Sequence, residues 1–201
     1  VSEIQDAAAA VSAGRLVVLP TDTVYGVGAD AFSPSAVNAL LAAKGRGRDM
    51  PVPVLVGSWS TVDGIASRVS GEARELIEAF WPGPLSIVLP QMPTLAWDLG
   101  DAGGTVMVRM PLHPMALELL EATGPMAVSS ANRSGQPPAV TVEEARSQLG
   151  AAISIYLDGG PTAGPVPSTI VDASLDGPPR VLRLGTLTGD DLRAVVPTLI
   201  G

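Results

Sequence analysis

Residues Pro20 to Asp30 read PTDTVYGVGAD, which sets two threonine hydroxyls, a carboxylate, a phenol and two glycines between Thr21 and Gly28. A plain turn needs far less hydrogen-bonding capacity, so this stretch has the makings of a ligand wall. Tyr25 taken alone is equally an ordinary buried phenol. A second cluster, AKGRGRDMP, gathers Lys44, Arg46 and Arg48 where a helix should end. Charges there can simply compensate the helix dipole. Gly45 and Gly47 also let backbone N–H groups and guanidinium forks close on a polyphosphate. A third cluster, SSANRSG, carries Ser130 and Asn132 after an apolar run. Such side chains cap turns, and at a strand end they also form an anion-binding nest. His113 precedes Pro114 at a helix start and has no second histidine to work with, so it reads as structural rather than as part of a nucleophilic triad.

The elements that must position these residues alternate between helical and strand signals, which predicts an α/β or α+β fold in one domain spanning 1–201. SEIQDAAAAVSAG begins with a Ser2/Gln5 capping box and ends at Gly14. RLVVLP is a short buried strand closed by a proline. Ser33 and Pro34 start a helix running to about Lys44. PVPVLV resembles a buried strand with edge prolines. GEARELIEAFW is amphipathic, with Leu76, Ile77 and Phe80 on its apolar face. LSIVL and TVMVRMP are strands, HPMALELLEATG is a helix ended by Gly124, and MAVSS is another buried strand. Thr141 and Glu144 form a second capping box before VEEARSQLG. AISIYL, STIVDA and RVLRLG follow as strands, with a last helix after Thr188. The Gly/Pro-rich run Asp158–Pro167 is the most flexible loop expected. Polar clusters recur where strands end, and open sheets bind ligands there, so distant segments can converge on one site.

Composition narrows the chemistry. Twelve basic against twenty acidic residues leave a net charge of −8, and only 3% of residues are aromatic. A nucleic-acid coat calls for the opposite balance and more stacking platforms, so small substrates fit better. With no cysteine and one histidine, disulfides, thiolate sites and histidine zinc clusters are excluded. The longest uncharged run, Ala79 to Trp97, holds four prolines and cannot be a spanning helix. The N-terminal residues lack a secretory signal, which predicts a cytoplasmic protein with no membrane partner. Neither a P-loop nor a complete G-x-G-x-x-G occurs.

In order and spacing, PTDTVYGVG, KGRGRDMPVPVLV, WPGPLSIVL, VMVRMPLHP, VSSANRSGQPP and PSTIVD resemble the successive motifs of the YrdC-like threonylcarbamoyl-AMP synthases, over roughly residues 5 to 187. The resemblance implies a nucleotidyltransferase that condenses L-threonine, bicarbonate and ATP, with Mg²⁺, into threonylcarbamoyl-adenylate and pyrophosphate. It implies a twisted mixed sheet flanked by helices around a large concave basic cavity, and a product passed to the machinery that modifies the tRNA adenosine beside the anticodon. Some relatives carry a further C-terminal domain, which this chain is expected to lack.

By position, the resemblance puts Thr23, Tyr25, Arg109, the Val128 backbone and Ser168 on threonine, with Arg109 pairing the carboxylate. It puts Lys44, Arg46, Thr105, Ser130, Asn132 and Arg183 on ATP, with Lys44 and Arg46 as the catalytic pair of the K-x-R motif. Three positions depart from the pattern: Met50 and Pro138 at nucleotide contacts, and Leu55 beside threonine. These can still meet ligand through backbone or apolar atoms. With no nucleophile or paired carboxylates evident, catalysis is expected from positioning and charge stabilisation. Two rival readings remain. One is a carbamoyl-adenylate-forming relative, whose cysteine-rich zinc segments this chain lacks. The other is a module that binds tRNA or other RNA weakly, which the net charge disfavours.

Overall fold

The computed structural model describes residues 2–201 and contains one mixed sheet of nine strands in the order β7-β1-β2-β6-β3-β5-β4-β8-β9. In chain order the strands are β1 (Val17–Leu19), β2 (Gly26–Asp30), β3 (Val54–Leu55), β4 (Leu85–Pro90), β5 (Thr105–Arg109), β6 (Met126–Ser130), β7 (Ile155–Tyr156), β8 (Thr169–Asp172) and β9 (Arg180–Arg183). The helices are α1 (Glu3–Ser12), α2 (Pro34–Lys44), α3 (Val62–Ile65), α4 (Gly71–Phe80), α5 (Pro114–Thr123), α6 (Val142–Leu149) and α7 (Gly189–Val195). Among the described residues no helix is long and apolar enough to cross a membrane.

The helix starts follow the predicted caps. Ser2 and Gln5 form a complete capping box, and Ser33 caps α2 ahead of Pro34. At α6 only half of the expected box forms: Thr141 accepts the Glu144 N–H, but the Glu144 carboxylate takes the Val140 N–H instead of that of Thr141. Phe80 is only half-buried, and α4 buries Ala73 with Leu76 and Ile77.

The sheet separates two apolar cores. Ile4, Ala7 and Val11 of α1 and Leu119 and Leu120 of α5 pack with Leu19, Leu55, Met126 and Val128. Helices α2 and α4 bury Leu40, Leu41, Leu76 and Ile77 with Val18, Val27, Val54, Ile87 and Val108. Neighbouring strand residues thus point to opposite cores, as period-two alternation requires.

Two sequence expectations change here. PTDTVYGVGAD does not stay a turn, because GVGAD continues as β2, antiparallel to both β1 and β6. Its glycines make room for β6: a Cβ at Gly26 falls 2.6 Å from Cγ1 of the stiff Val128 side chain, and one at Gly28 falls 2.7 Å from Cε, the flexible tip of Met126. PVPVLV is buried between β6 and β5 as expected, but its strand contracts to Val54–Leu55. Pro53 still serves the sheet through its carbonyl, which accepts the Val128 N–H.

Candidate functional site

A row of registered residues crosses one side of the sheet. Leu55 of β3 pairs with Arg109 of β5. One step beyond the Ile87–Val108 pair, Ser86 of β4 comes level with Arg109. Ser86 pairs with Ile170 of β8, and Ile170 with Arg183 of β9. Directly opposite residues share a face, so five strands present one line of side chains. All five line a cavity of about 280 Å³. Thr21, the segment from Thr23 to Gly26, the β6 end from Val128 to Ser130, Arg46 and several prolines complete its wall. The lining carries Arg46, Arg109 and Arg183 and no carboxylate.

Arg109 is the most constrained of the three. Its Nε donates to the Gly83 carbonyl at 2.9 Å, Nη1 to Thr23 Oγ1 at 2.9 Å and Nη2 to Asp22 Oδ1 at 2.5 Å. Three of its five N–H groups are therefore held by the protein. Burial pulls its pKa below the ordinary arginine value, and Asp22 opposes that pull. Arg46 reaches Ser129 Oγ at 3.2 Å, yet its Nε is buried with no acceptor. Burial likewise lowers the Arg46 and Arg183 guanidiniums. Arg183 gives one bond, to the Ser168 carbonyl at 2.7 Å.

The hydroxyls divide by what they have left to give. Thr21 donates to the Val24 carbonyl at 2.6 Å, so the 3.2 Å contact between Thr21 and Thr23 uses the Thr23 proton. Both protons are thus spent inside the protein, and Thr23 acts on Arg109 as an acceptor. Tyr25 is fully buried, and its hydroxyl donates to the Gly160 carbonyl at 2.7 Å while accepting the Gly159 N–H at 3.1 Å. The residue is part of the cavity wall, and its oxygen pins the loop that begins at Asp158.

Nine residues expected at the site line this cavity: Thr23, Tyr25, Arg46, Arg109, Val128, Ser130, Pro138, Ser168 and Arg183, joined by Leu55. Four others stand off its wall. Lys44 is buried behind it and donates to the Ser130 carbonyl, to the Asn132 carbonyl at 2.8 Å and to Asn132 Oδ1 at 3.2 Å. Asn132 spends its amide on the Arg133 and Gln136 carbonyls, so with Lys44 it staples the SSAN turn to the end of α2. Met50 is 47% exposed, and Thr105 closes a turn onto Ala102, four residues along β5 from Arg109. Arg48 turns outward to Asp98 and Asp101. His113 caps α5 without a side-chain bond and has a buried, unpartnered Nδ1.

Sequence reasoning gave no role to Asp22 as a partner for arginine, nor to Ser86 and Ser129. Asp22 was visible in the TDT triplet, and Ser86 as the one hydroxyl within LSIVL. The pairing of each depends on a segment far away in the chain.

The molecule is thus an α/β domain with a sheet-floored cavity whose arginines and hydroxyls have the chemistry that meets anionic small molecules. The family described as "Telomere recombination", Sua5/YciO/YrdC, matches residues 9–185, and the chain belongs to it. A provisionally named threonylcarbamoyl-AMP synthase of Mycobacterium tuberculosis is 61% identical over 193 residues, covering 96% of this chain and 88% of that protein. The Bacillus subtilis protein named threonylcarbamoyl-AMP synthase is 38% identical, over 96% of this chain and 56% of its own length. Among solved structures, Pyrococcus abyssi Sua5 complexed with L-threonine superposes with a TM-score of 0.94 at 36% identity, covering all of this chain and 59% of that one.

Proposed function

We propose that this chain is an L-threonylcarbamoyladenylate synthase, and that its product serves threonylcarbamoyl modification of tRNA beside the anticodon. The observation that carries the reading is the registered row. It sets a rigid, buried Arg109 one strand from the Ser86–Ser168 hydroxyls and in line with Arg183, which supports a reading in which a carboxylate and a phosphate lie apart on one floor. The names of the relatives support the same reading.

In this reading the remaining N–H groups of Arg109 take the threonine carboxylate, while Arg46 and Arg183 face the triphosphate. The threonine nitrogen bonds to the carbon of bicarbonate with loss of water, giving a carbamate. A carbamate oxygen then attacks the α-phosphorus, and the bond to the β-phosphate oxygen breaks to release pyrophosphate. Two anions must approach, so fixed positive groups in a partly dry cavity lower the barrier by charge stabilisation and positioning. Arg46 suits this role because its unpaired Nε–H is already desolvated and waits for an acceptor. Lys44 acts from behind the wall, fixing the turn that carries Ser130 and adding charge to it. The lining offers no carboxylate to ligate a resident metal, so Mg²⁺ enters as part of the MgATP substrate.

The test is pyrophosphate release. It is expected only when ATP, threonine and bicarbonate are all present, and release that persists without threonine rejects the assignment. Salt-sensitive micromolar binding of tRNA without that turnover would favour the RNA-binding alternative.

A further inference from the structure

The proton count between β4 and the start of β8 leaves one donor over. Ser86 Oγ and Ser168 Oγ lie 2.9 Å apart, and neither has another hydrogen-bond partner among the described residues. Two hydroxyls carry two protons, and the contact between them uses only one. Ser86 is 4% exposed and Ser168 8%, so water has little access to either, and both line the cavity. A buried donor left without an acceptor is costly, and a strand otherwise reading Leu-Ile-Val-Leu gains nothing in packing from a serine. Of the other hydroxyls on the wall, Thr21 and Thr23 have spent their protons on the protein, while Ser129, which accepts from Arg46, and Ser130 lie on β6, three strands from β4.

The neighbours of this pair specify what it meets. Ser86 stands level with Arg109, one strand spacing of about 4.8 Å away. On the other side of Arg109 the row continues to Leu55, and Met107 lies two residues along β5 on the same face. An amino acid whose carboxylate rests on Arg109 therefore has a polar neighbour on one flank and an apolar one on the other.

We propose that Ser86, acting with Ser168, is the residue that selects threonine by its side chain. The spare proton is donated to the β-hydroxyl oxygen, while Leu55 and Met107 receive the methyl group. The inference rests on the function proposed above and goes further by assigning Ser86 and the chirality at Cβ. A site with a buried donor rejects an analogue that lacks the matching oxygen, because the donor is then stranded. Valine has a methyl group in place of the hydroxyl, and L-allo-threonine exchanges the two substituents. Both should be poor ligands.

Binding of L-threonine, L-valine and L-allo-threonine to the whole protein is measured by calorimetry, together with their support of pyrophosphate release from ATP. For Ser86→Ala, threonine affinity is expected to fall about tenfold, and the preference for threonine over valine to shrink by about 10- to 100-fold. KM for ATP should stay within about twofold. Ser86→Thr restores a hydroxyl and should recover most of the preference, which a purely structural role does not predict. If Ser86→Ala does not fold, Ser86→Cys keeps the volume while weakening the donor, and it should show the same loss of preference. An unaltered threonine-to-valine ratio in a folded Ser86→Ala or Ser86→Cys protein overturns the inference while leaving the proposed function intact. A native protein that binds none of the three amino acids defeats that function, and the role of Ser86 with it.

Discussion

Arg109 and Asp22 meet at 2.5 Å with side chains only 8% and 13% exposed, and the same Asp22 oxygen accepts the Leu112 N–H at 2.9 Å. One carboxylate thus ties the PTDT segment, the end of β5 and the approach to α5 together. Asp22→Ala strands a buried guanidinium, and urea unfolding should record a loss of about 3–5 kcal/mol. Adding Arg109→Met removes the stranded charge and should return part of that stability. A urea midpoint unmoved by Asp22→Ala would contradict this account of the pair.

Lys44 gives stability and binding opposite dependences on pH. Burial, and then the neighbouring charge of Arg46, pull its pKa down to about 8. Three oxygen acceptors hold the ammonium against that pull. Between about 8 and the ordinary lysine value near 10.4 the folded protein binds fewer protons than the unfolded chain, so this group adds stability as pH rises through that window. Below it the lysine is charged in both states, and its burial penalty is felt in full. Nucleotide affinity should move the other way and weaken above about pH 8, as the charge behind the SSAN turn is lost. Paired urea and ATP-binding titrations on the native protein and Lys44→Met check both signs. Lys44→Met should flatten the two trends, and matching slopes in both proteins would remove Lys44 as their source.

Arg46 and Arg109 should separate in steady-state kinetics. Arg46→Ala removes a desolvated donor facing the triphosphate and should raise KM for ATP about 10- to 100-fold, the value of one or two charge-assisted bonds. Arg109→Ala should raise KM for threonine by a similar factor with less effect on ATP. Equal changes in both substrates for both variants would dissolve this division of the floor.

Gly185 keeps Ser168 where it is. A Cβ there would lie 2.1 Å from the Pro167 carbonyl oxygen and 2.7 Å from the Ser168 backbone, with no flexible side chain to yield. Gly185→Ala should cost about 1–3 kcal/mol by overpacking and weaken threonine binding by moving Ser168 off Ser86. Thermal melts and threonine calorimetry measure the two effects, and native values for both would show that the segment gives way freely.

Tyr25 should act mainly on the loop beyond Asp158. Tyr25→Phe leaves the Gly159 N–H and the Gly160 carbonyl without their partner, at about 1–3 kcal/mol. Hydrogen exchange across 158–167 should quicken while α1 and β6 stay protected. Unchanged exchange in that loop would place its anchor elsewhere.

Much of this was legible from residue types and their periods. Ser2, Ser33, Thr188 and the closing glycines mark helix ends because capping is a local bond. The buried runs around Val17, Ile87 and Val108 read as strands because burial on both faces demands unbroken apolar sequence. Strand β2 was not legible, since its glycines answer to Val128 and Met126, about a hundred positions away. The same limit hid how short β3 is.

The candidate site divides along the same line. Clusters of arginine, hydroxyl and glycine at strand ends were plain in PTDTVYG, KGRGRD and SSAN, because the kinds of group that meet an anion follow from chemistry alone. Register decided which of them face the cavity. It brought Arg109, Ser86, Ile170 and Arg183 into one row and spent Lys44 and Asn132 on a turn behind the wall. A side chain's free donors are what remains after its own fold has used the rest. That remainder depends on which strands lie side by side, and only tertiary structure settles it.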